Sequence, residues 1–293
     1  MGDAGSAPSI HEGRKGDISY PALSPDGSRL ASSVPDPAGS DIQLWVKRLG
    51  QSTQTIFTRE GGVNSRPTWS ADGRQIAFIS DRGPKYDVLV KPTDQGAQET
   101  LPFSRASEEP VWEVDFPKRG PWILFRVEDR RSDICAIRPG VDRVAIPLVV
   151  TGAVERMPTL SPDGRGFAYV SNTTGRPEVY MRPFPEVNSA VWQVSTAGAS
   201  EPRWAHSGRE LLFHTEAREL ASVPVTAGDA FAWGELQRLF SLENYRSADT
   251  GRMWDVTPGD HRFLKLRIVP GEVPTELIVV ENFFEELQAK VKR

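Results

Sequence analysis

Three aspartates recur in one setting. Asp26, Asp72 and Asp163 each follow Ser-Pro or Ser-Ala and precede a glycine. Acid–base chemistry needs two carboxylates converging on one reacting centre. One aspartate per repeat spreads them around a rim instead, so the pattern predicts turns. The four histidines do not gather either: His206 and His261 fall in turns, His214 at the end of an apolar stretch and His11 in the polar start. There is no Gly-x-Ser-x-Gly elbow, no Gly-rich phosphate loop between a strand and a helix, and no kinase signature set. The single Cys135 excludes an internal disulfide and predicts a buried structural thiol. No catalytic residue, metal ligand or cofactor is assigned.

A second set of charges is more promising. Segments leading into apolar strands carry Ser65-Arg66, Glu108-Glu109, Glu155-Arg156, Ser200-Glu201 and Arg252-Met253. Segments leaving them carry Asp36, Asp81-Arg82, Glu128-Asp129-Arg130-Arg131, Asn172, Glu216 and Arg218. Any one of these is ordinarily a solvated charge worth little. Together, arginines alternating with carboxylates suit a polar or peptide-like ligand, or a cation. The candidate ligand-binding residues are Arg66, Asp81, Arg82, Glu109, Asp129, Arg130, Arg156, Glu201 and Arg252.

The elements that would bring them together are legible from a repeat. Arg66-Pro67-Thr68-Trp69-Ser70-Ala71-Asp72-Gly73 and Met157-Pro158-Thr159-Leu160-Ser161-Pro162-Asp163-Gly164 are its best copies. The marker prolines Pro21, Pro67, Pro110, Pro158 and Pro202 recur about every 43 to 48 residues, and an eroded sixth copy begins at Trp254. That period, built from short strands, predicts an all-β, six-bladed β-propeller with four-stranded antiparallel blades. Each proline is expected at the first residue of an inner strand, where a missing N–H is tolerated. In Ser-Pro-Asp-Gly, proline presets φ, aspartate caps backbone N–H groups and glycine supplies φ > 0. Ile76-Ala77-Phe78-Ile79 runs without alternation, as a strand covered on both faces does.

The expected organisation is a flexible segment over 1–17, a propeller over 18–281 and a short helix over 282–293. The last repeat offers three strands, so the fourth would come from the N-terminus around Pro8–His11. Asn282 as N-cap with Glu285 three residues on, and Phe283, Phe284, Leu287 and Val291 on one face, predict a helix packed under the ring.

With 38% hydrophobic residues and eight tryptophans, the chain of 293 residues can build a sizeable core. A formal charge of −4 leaves no basic footprint for nucleic acid. No apolar run is long enough to span a bilayer, and the polar start has neither the basic nor the apolar region of a signal peptide. The expectation is a monomer with no membrane insertion: cytoplasmic as written, extracytoplasmic if it is part of a longer membrane-anchored protein.

The Pro-x-Trp-Ser-Pro-Asp-Gly turn, the apolar strand after it and the following polar loop and strand resemble the TolB-type propeller repeat, over residues 18 to 280. The stretch Glu276-Leu277-Ile278-Val279-Val280-Glu281-Asn282-Phe283-Phe284-Glu285-Glu286-Leu287 is similar to the end of propellers fused behind bacterial serine/threonine kinases. That resemblance implies a sensing or binding module. The chain departs from the pattern in having neither kinase nor membrane helix. The reading is therefore a non-catalytic binding scaffold that recognises a protein, peptide or polar ligand at the channel mouth. The alternative is a metal-dependent propeller hydrolase, lactonase or glycoside-acting, which would need Glu109, Glu155 and Glu201 to converge.

Overall fold

The computed structural model describes residues 18–36, 39, 41–51, 53–82, 86–94, 110–117, 120–128, 132–227, 231–268 and 275–280. Every regular element among them is a β-strand. The first antiparallel sheet holds β1 (Ser19–Leu23), β2 (Arg29–Pro35), β3 (Ile42–Arg48) and β4 (Gln54–Ile56). The second holds β5 (Asn64–Trp69), β6 (Gln75–Ser80) and β7 (Asp87–Pro92). The third holds β8 (Val111–Asp115), β9 (Ile123–Glu128), β10 (Ser132–Ile137) and β11 (Ile146–Val149). The fourth holds β12 (Glu155–Leu160), β13 (Gly166–Ser171), β14 (Glu178–Pro183) and β15 (Trp192–Gln193). The fifth holds β16 (Ala199–Trp204), β17 (Glu210–Thr215), β18 (Glu219–Ala227) and β19 (Phe231–Trp233), with β20 (Gln237–Ser241) also paired to β18. The last holds β21 (Trp254–Val256), β22 (Phe263–Ile268) and β23 (Thr275–Val280). The expectation of four strands in every blade fails among the described residues for the second and last sheets. The N-terminal closing strand and the helix over 282–293 both lie outside the described residues.

The core lies between neighbouring sheets. Phe78 and Ile76 of β6 pack on Leu44 of β3, while Ile79 packs on Phe125 of β9. Phe167 meets Leu124 and Ile134, Met157 and Val170 meet Phe213, and Leu212 meets Trp254 and Phe263. Leu23 and Leu30 of the first sheet pack on Met253, Leu264 and Leu266 around the last, so the ring meets its own beginning. Second strands are therefore buried on both sides, and β13 is buried throughout. Cys135 belongs to the cluster between the second and third sheets and is a free, buried thiol. The fold is an all-β propeller.

The repeat acquires its meaning at the turns. Ser24, Ser70 and Ser161 each donate from Oγ to the aspartate two residues on, at 2.5, 2.6 and 2.5 Å. The same aspartates accept backbone N–H bonds from Ser28, Arg74 and Arg165. Hydrogen bonds from Ser24 and Ser28 hold the Asp26 carboxyl down at about 2. The turns also interlock: a Cβ at Gly27 (φ +69°) would lie 3.0 Å from Pro258 of the last sheet. Tryptophan of the repeat likewise ties sheets together, since Trp69 Nε1 donates to the Ala22 carbonyl at 2.9 Å and Trp204 Nε1 to that of Thr159 at 3.3 Å.

One expectation about the proline is corrected. Pro21, Pro67, Pro158 and Pro202 lie inside their strands, at a bulge where the register of the inner pair shifts. The residue before each, Tyr20, Arg66, Met157 or Glu201, has φ between +50° and +55°. A bulge leaves its extra residue out of the ladder, so proline forfeits no hydrogen bond there. In the third sheet Pro110 precedes β8, and the shift falls between Val111 and Glu113. Counting from prolines therefore sets the third repeat out of register.

Candidate functional site: the channel mouth and its strap

The bulge residues form an inner ring. Met157 N–H donates to Glu113 Oε2, Glu201 N–H to Met157 Sδ (3.2 Å), Met253 N–H to Glu201 Oε2 (2.8 Å), and Tyr20 N–H to Met253 Sδ (3.5 Å). Glu113, not Glu109, thus occupies the place in the third sheet that Arg66 holds in the second. Two residues further along their strands, Asp255 Oδ2 accepts Leu23 N–H at 2.8 Å and Thr68 Oγ1 accepts Phe116 N–H at 3.3 Å. A cavity of about 50 Å³ opens on this ring, bordered by Tyr20, Arg66, Glu113, Asp115, Arg252 and Asp255 among others.

The mouth is covered by residues 246–252, which run between β20 and β21 as a strap. Glu201 accepts the Ala248 N–H at 3.0 Å with its other oxygen. Arg156 Nη1 donates to the Asp249 carbonyl at 2.8 Å. Arg66 Nη2 reaches Thr250 at both its carbonyl (3.4 Å) and its hydroxyl (3.3 Å), and its guanidinium lies 4.7 Å from the Tyr20 ring centre. Gly251 (φ +102°) is required by this crossing, since a Cβ there would lie 2.8 Å from the Tyr20 ring. Arg252 turns inward, donating from Nη2 to the Met157 and Pro158 carbonyls (2.7 and 2.6 Å) and from Nε to Pro202 (2.8 Å).

Four of the nine candidate residues, Arg66, Arg156, Glu201 and Arg252, therefore converge on the strap or form part of it. Asp81 and Arg82 do not join them. Asp81 accepts the Val63 N–H at 2.7 Å, and Arg82 donates to the Glu60 carbonyl at 2.9 Å, so both clamp the link between the first two sheets. Glu109, Asp129 and Arg130 lie outside the described residues. Glu155 is buried in its own sheet, taking hydrogen bonds from Thr151 and Ser171, and burial pushes its carboxyl above the usual range.

Sequence reading selected Glu201 but missed its two deep partners, His214 and Lys265. Behind the mouth, Glu201 (0% exposed), His214 (3%) and Lys265 (0%) form a line against Trp254. His214 stacks on Trp254 with ring centres 5.4 Å apart, and Lys265 Nζ lies 4.7 Å from the same ring. Lys265 Nζ hydrogen-bonds His214 Nε2, while His214 Nδ1 sits 3.2 Å from Glu201 Oε1 without good alignment, making that contact electrostatic. Burial opposes ionisation of Glu201, but His214, Lys265 and the Met253 N–H outweigh it and hold the carboxyl below its ordinary value. Burial lowers His214 as well, and pushes Lys265 down to about 7 against the pull of Glu201. A lysine in the middle of Phe263-Leu264-Lys265-Leu266 was the available signal, because charge inside a doubly covered strand demands a partner.

Residues 4–117 match the lipoprotein LpqB β-propeller domain family. The chain is 24% identical over 161 residues to the Tol-Pal system protein TolB of Helicobacter pylori, covering 52% of this chain and 36% of that protein. TolB from Acinetobacter baumannii superposes with a TM-score of 0.66 at 14% identity, over 88% of this chain and 62% of that one. The chain has a TolB-like β-propeller fold. An oligogalacturonate lyase in complex with manganese has the same fold at TM-score 0.64 and 10% identity, over 91% of this chain and 90% of that one. Among the described residues of this TolB-like propeller, no group of three or more His, Cys, Asp or Glu is placed to hold a metal ion. The chain is also 29% identical over 106 residues to the uncharacterized peptidase YuxL of Bacillus subtilis, covering 33% of this chain; the matches span only 16% of YuxL and 36% of the Helicobacter pylori TolB.

Proposed function

We propose that this TolB-like propeller is a six-bladed, non-catalytic binding scaffold whose channel-mouth face receives a protein partner or peptide. Among the described residues, six sheets with a cluster of buried side chains at each of six sheet–sheet boundaries support the blade count. The observation that carries the function is the strap. The charges of the mouth are spent on holding a backbone segment, through carbonyls, a hydroxyl and N–H groups. A surface that binds main chain of its own is chemically suited to binding main chain of another protein. The hydrolase alternative lacks this support: Glu155 is enclosed and engaged within its own blade, and both oxygens of the buried Glu201 are taken by the Met253 and Ala248 N–H groups. The name of the Helicobacter pylori relative places that protein in the Tol-Pal system, and a matched family is described as a lipoprotein domain. Both favour an extracytoplasmic partner, and a kinase-linked sensor is the version suggested by residues 276–287.

The test starts from a partner captured on immobilised propeller from separate envelope and cytosolic fractions and then purified. Its affinity is measured for the wild type, for Arg156→Ala at the mouth and for Arg209→Ala, an exposed side chain at the opposite end. A loss of about tenfold confined to Arg156→Ala is expected. Equal affinity in all three, or loss only at Arg209, overturns the assignment of the face.

A further inference from the structure

We infer that Arg66 and Arg156 form a carboxylate-binding site at the channel mouth, and that the strap is its internal occupant, displaced when a carboxylate-bearing ligand docks. The inference rests on the mouth being the binding face and adds the chemistry of the ligand.

The argument begins with a mismatch among the buried and half-buried guanidiniums. Arg126 faces Glu113 at 3.4 Å and Glu128 at 3.0 Å, and Arg203 faces Asp255 at 3.1 Å. Arg252 lies 3.9 Å from Asp115. Arg66 and Arg156 are different: among the described residues, neither has a carboxylate within ion-pair distance. Their acceptors are neutral, namely Tyr20, the Thr250 carbonyl and hydroxyl, and the Asp249 carbonyl. Those of Arg66 are long, at 3.3 to 3.4 Å. A guanidinium forms its strongest hydrogen bonds with a carboxylate, two at a time and near 2.8 Å.

The unused donors point the same way. Arg66 Nε, Arg156 Nε and Trp112 Nε1 are buried with no hydrogen-bond acceptor among the described residues. The Ser65 hydroxyl beside Arg66 is equally unpartnered. These groups belong to three successive sheets at one level of the ring, since Trp112 and Arg156 hold corresponding places beside the Glu113 and Met157 bulge residues. Trp112 also lies against Arg66, with 5.8 Å from the guanidinium carbon to the ring centre. A buried donor without a partner is destabilising. Donors in surplus, with two unmatched positive charges, call for an acceptor bearing negative charge.

Charge restricts where the ligand sits. Glu113, Asp115 and Asp255 line the cavity beside Arg66, so a carboxylate is held at the outer edge of the mouth, where the strap runs. The strap's Asp249 and Thr250 oxygens occupy the positions that the incoming carboxylate would take on Arg156 and Arg66. The ligand class is thus a molecule ending in a carboxylate, with a chain terminus or an acidic side chain of a peptide as the form that suits a protein partner.

The probe is succinate, compared with the neutral succinamide at matched ionic strength. Binding is read on the whole chain by thermal unfolding and by the ¹H–¹⁵N signal of the Trp112 indole, assigned with Trp112→Phe. Succinate is expected to raise the melting temperature saturably and shift that indole signal. Arg66→Gln and Arg156→Gln should each weaken the effect at least about tenfold, Arg66→Lys should restore part of it, and Arg209→Gln should leave it intact. Gln retains donors for the strap, and the melting temperature of each variant without probe reports whether it folds. Equal binding of succinamide with the same arginine dependence overturns the carboxylate while leaving the mouth as binding face. A saturable effect insensitive to both arginines, or none at all, overturns the site; partner affinity across the Arg156 and Arg209 variants then judges the binding face on its own.

Discussion

Lys265 makes the stability of this propeller depend on pH in a calculable way. Its amine is buried among Glu201, His214, Arg203 and Trp254, and burial brings it from an ordinary 10.5 down to about 7. A lysine depressed on folding is protonated in the unfolded chain and neutral in the native one between those two values. The unfolded state then binds the extra proton, so stability rises with pH across that window. Below about 7 the lysine is charged in both states and the cost of burying the ammonium is carried in full. Integrating the proton difference from roughly pH 7.5 to 9.5 gives a gain of about 2.5 kcal/mol, close to the limit of ~1.4 kcal/mol per pH unit for one proton. His214, also lowered by burial, is neutral throughout that range and adds no slope. The assay is urea unfolding at several pH values for the wild type and Lys265→Met. The variant's absolute stability mixes lost contacts with relieved desolvation, but the difference in slope isolates the lysine. The wild type should gain about 2.5 kcal/mol more than Lys265→Met over the two units. Parallel curves for the two proteins would refute a neutral buried amine and require Lys265 to stay charged beside Glu201.

Two further substitutions separate structural charges from binding charges. Arg252→Ala removes three short hydrogen bonds to carbonyls of two blades and the ion pair to Asp115, so a loss of about 3 kcal/mol is expected in chemical denaturation; a loss below about 1 kcal/mol would show that Arg252 is not a strut. Asp163→Ala deletes the acceptor for Ser161 and for the Arg165 N–H, should cost about 1 kcal/mol, and should leave partner affinity unchanged, as measured by urea unfolding and titration calorimetry. Because the Asp163 carboxyl is held below its ordinary value, its contribution should persist above that value and fade as acid protonates it.

The turn chemistry was legible because it is local. Ser24, Asp26 and Gly27 find their partners within five residues, and the same is true of Ser70 with Asp72 and of Ser161 with Asp163. Repetition of such a unit, with apolar strands too continuous to have a wet face, determined the propeller architecture from sequence alone. It also predicts which segments meet at one end of the ring, because those leading into first strands and leaving second strands share one end of every blade.

Only the tertiary structure decided what the charges there do. The strap lies 45 or more residues from Glu201, about 93 from Arg156 and 184 from Arg66, and no local pattern specifies which blade a loop crosses. Glu109 and Glu113 show the same limit: Pro110 suggested the register of the third repeat, while the bulge at Val111–Glu113 and the hydrogen bond from Met157 fixed it elsewhere. Lys265 was visible as an anomaly in an apolar strand, but its partners arrive from the fifth blade at His214 and Glu201. A short-range code of turns and alternation writes the ring, and closure of the ring brings charges from distant blades into a common dry interior, where their pairing sets both their ionisation and their use.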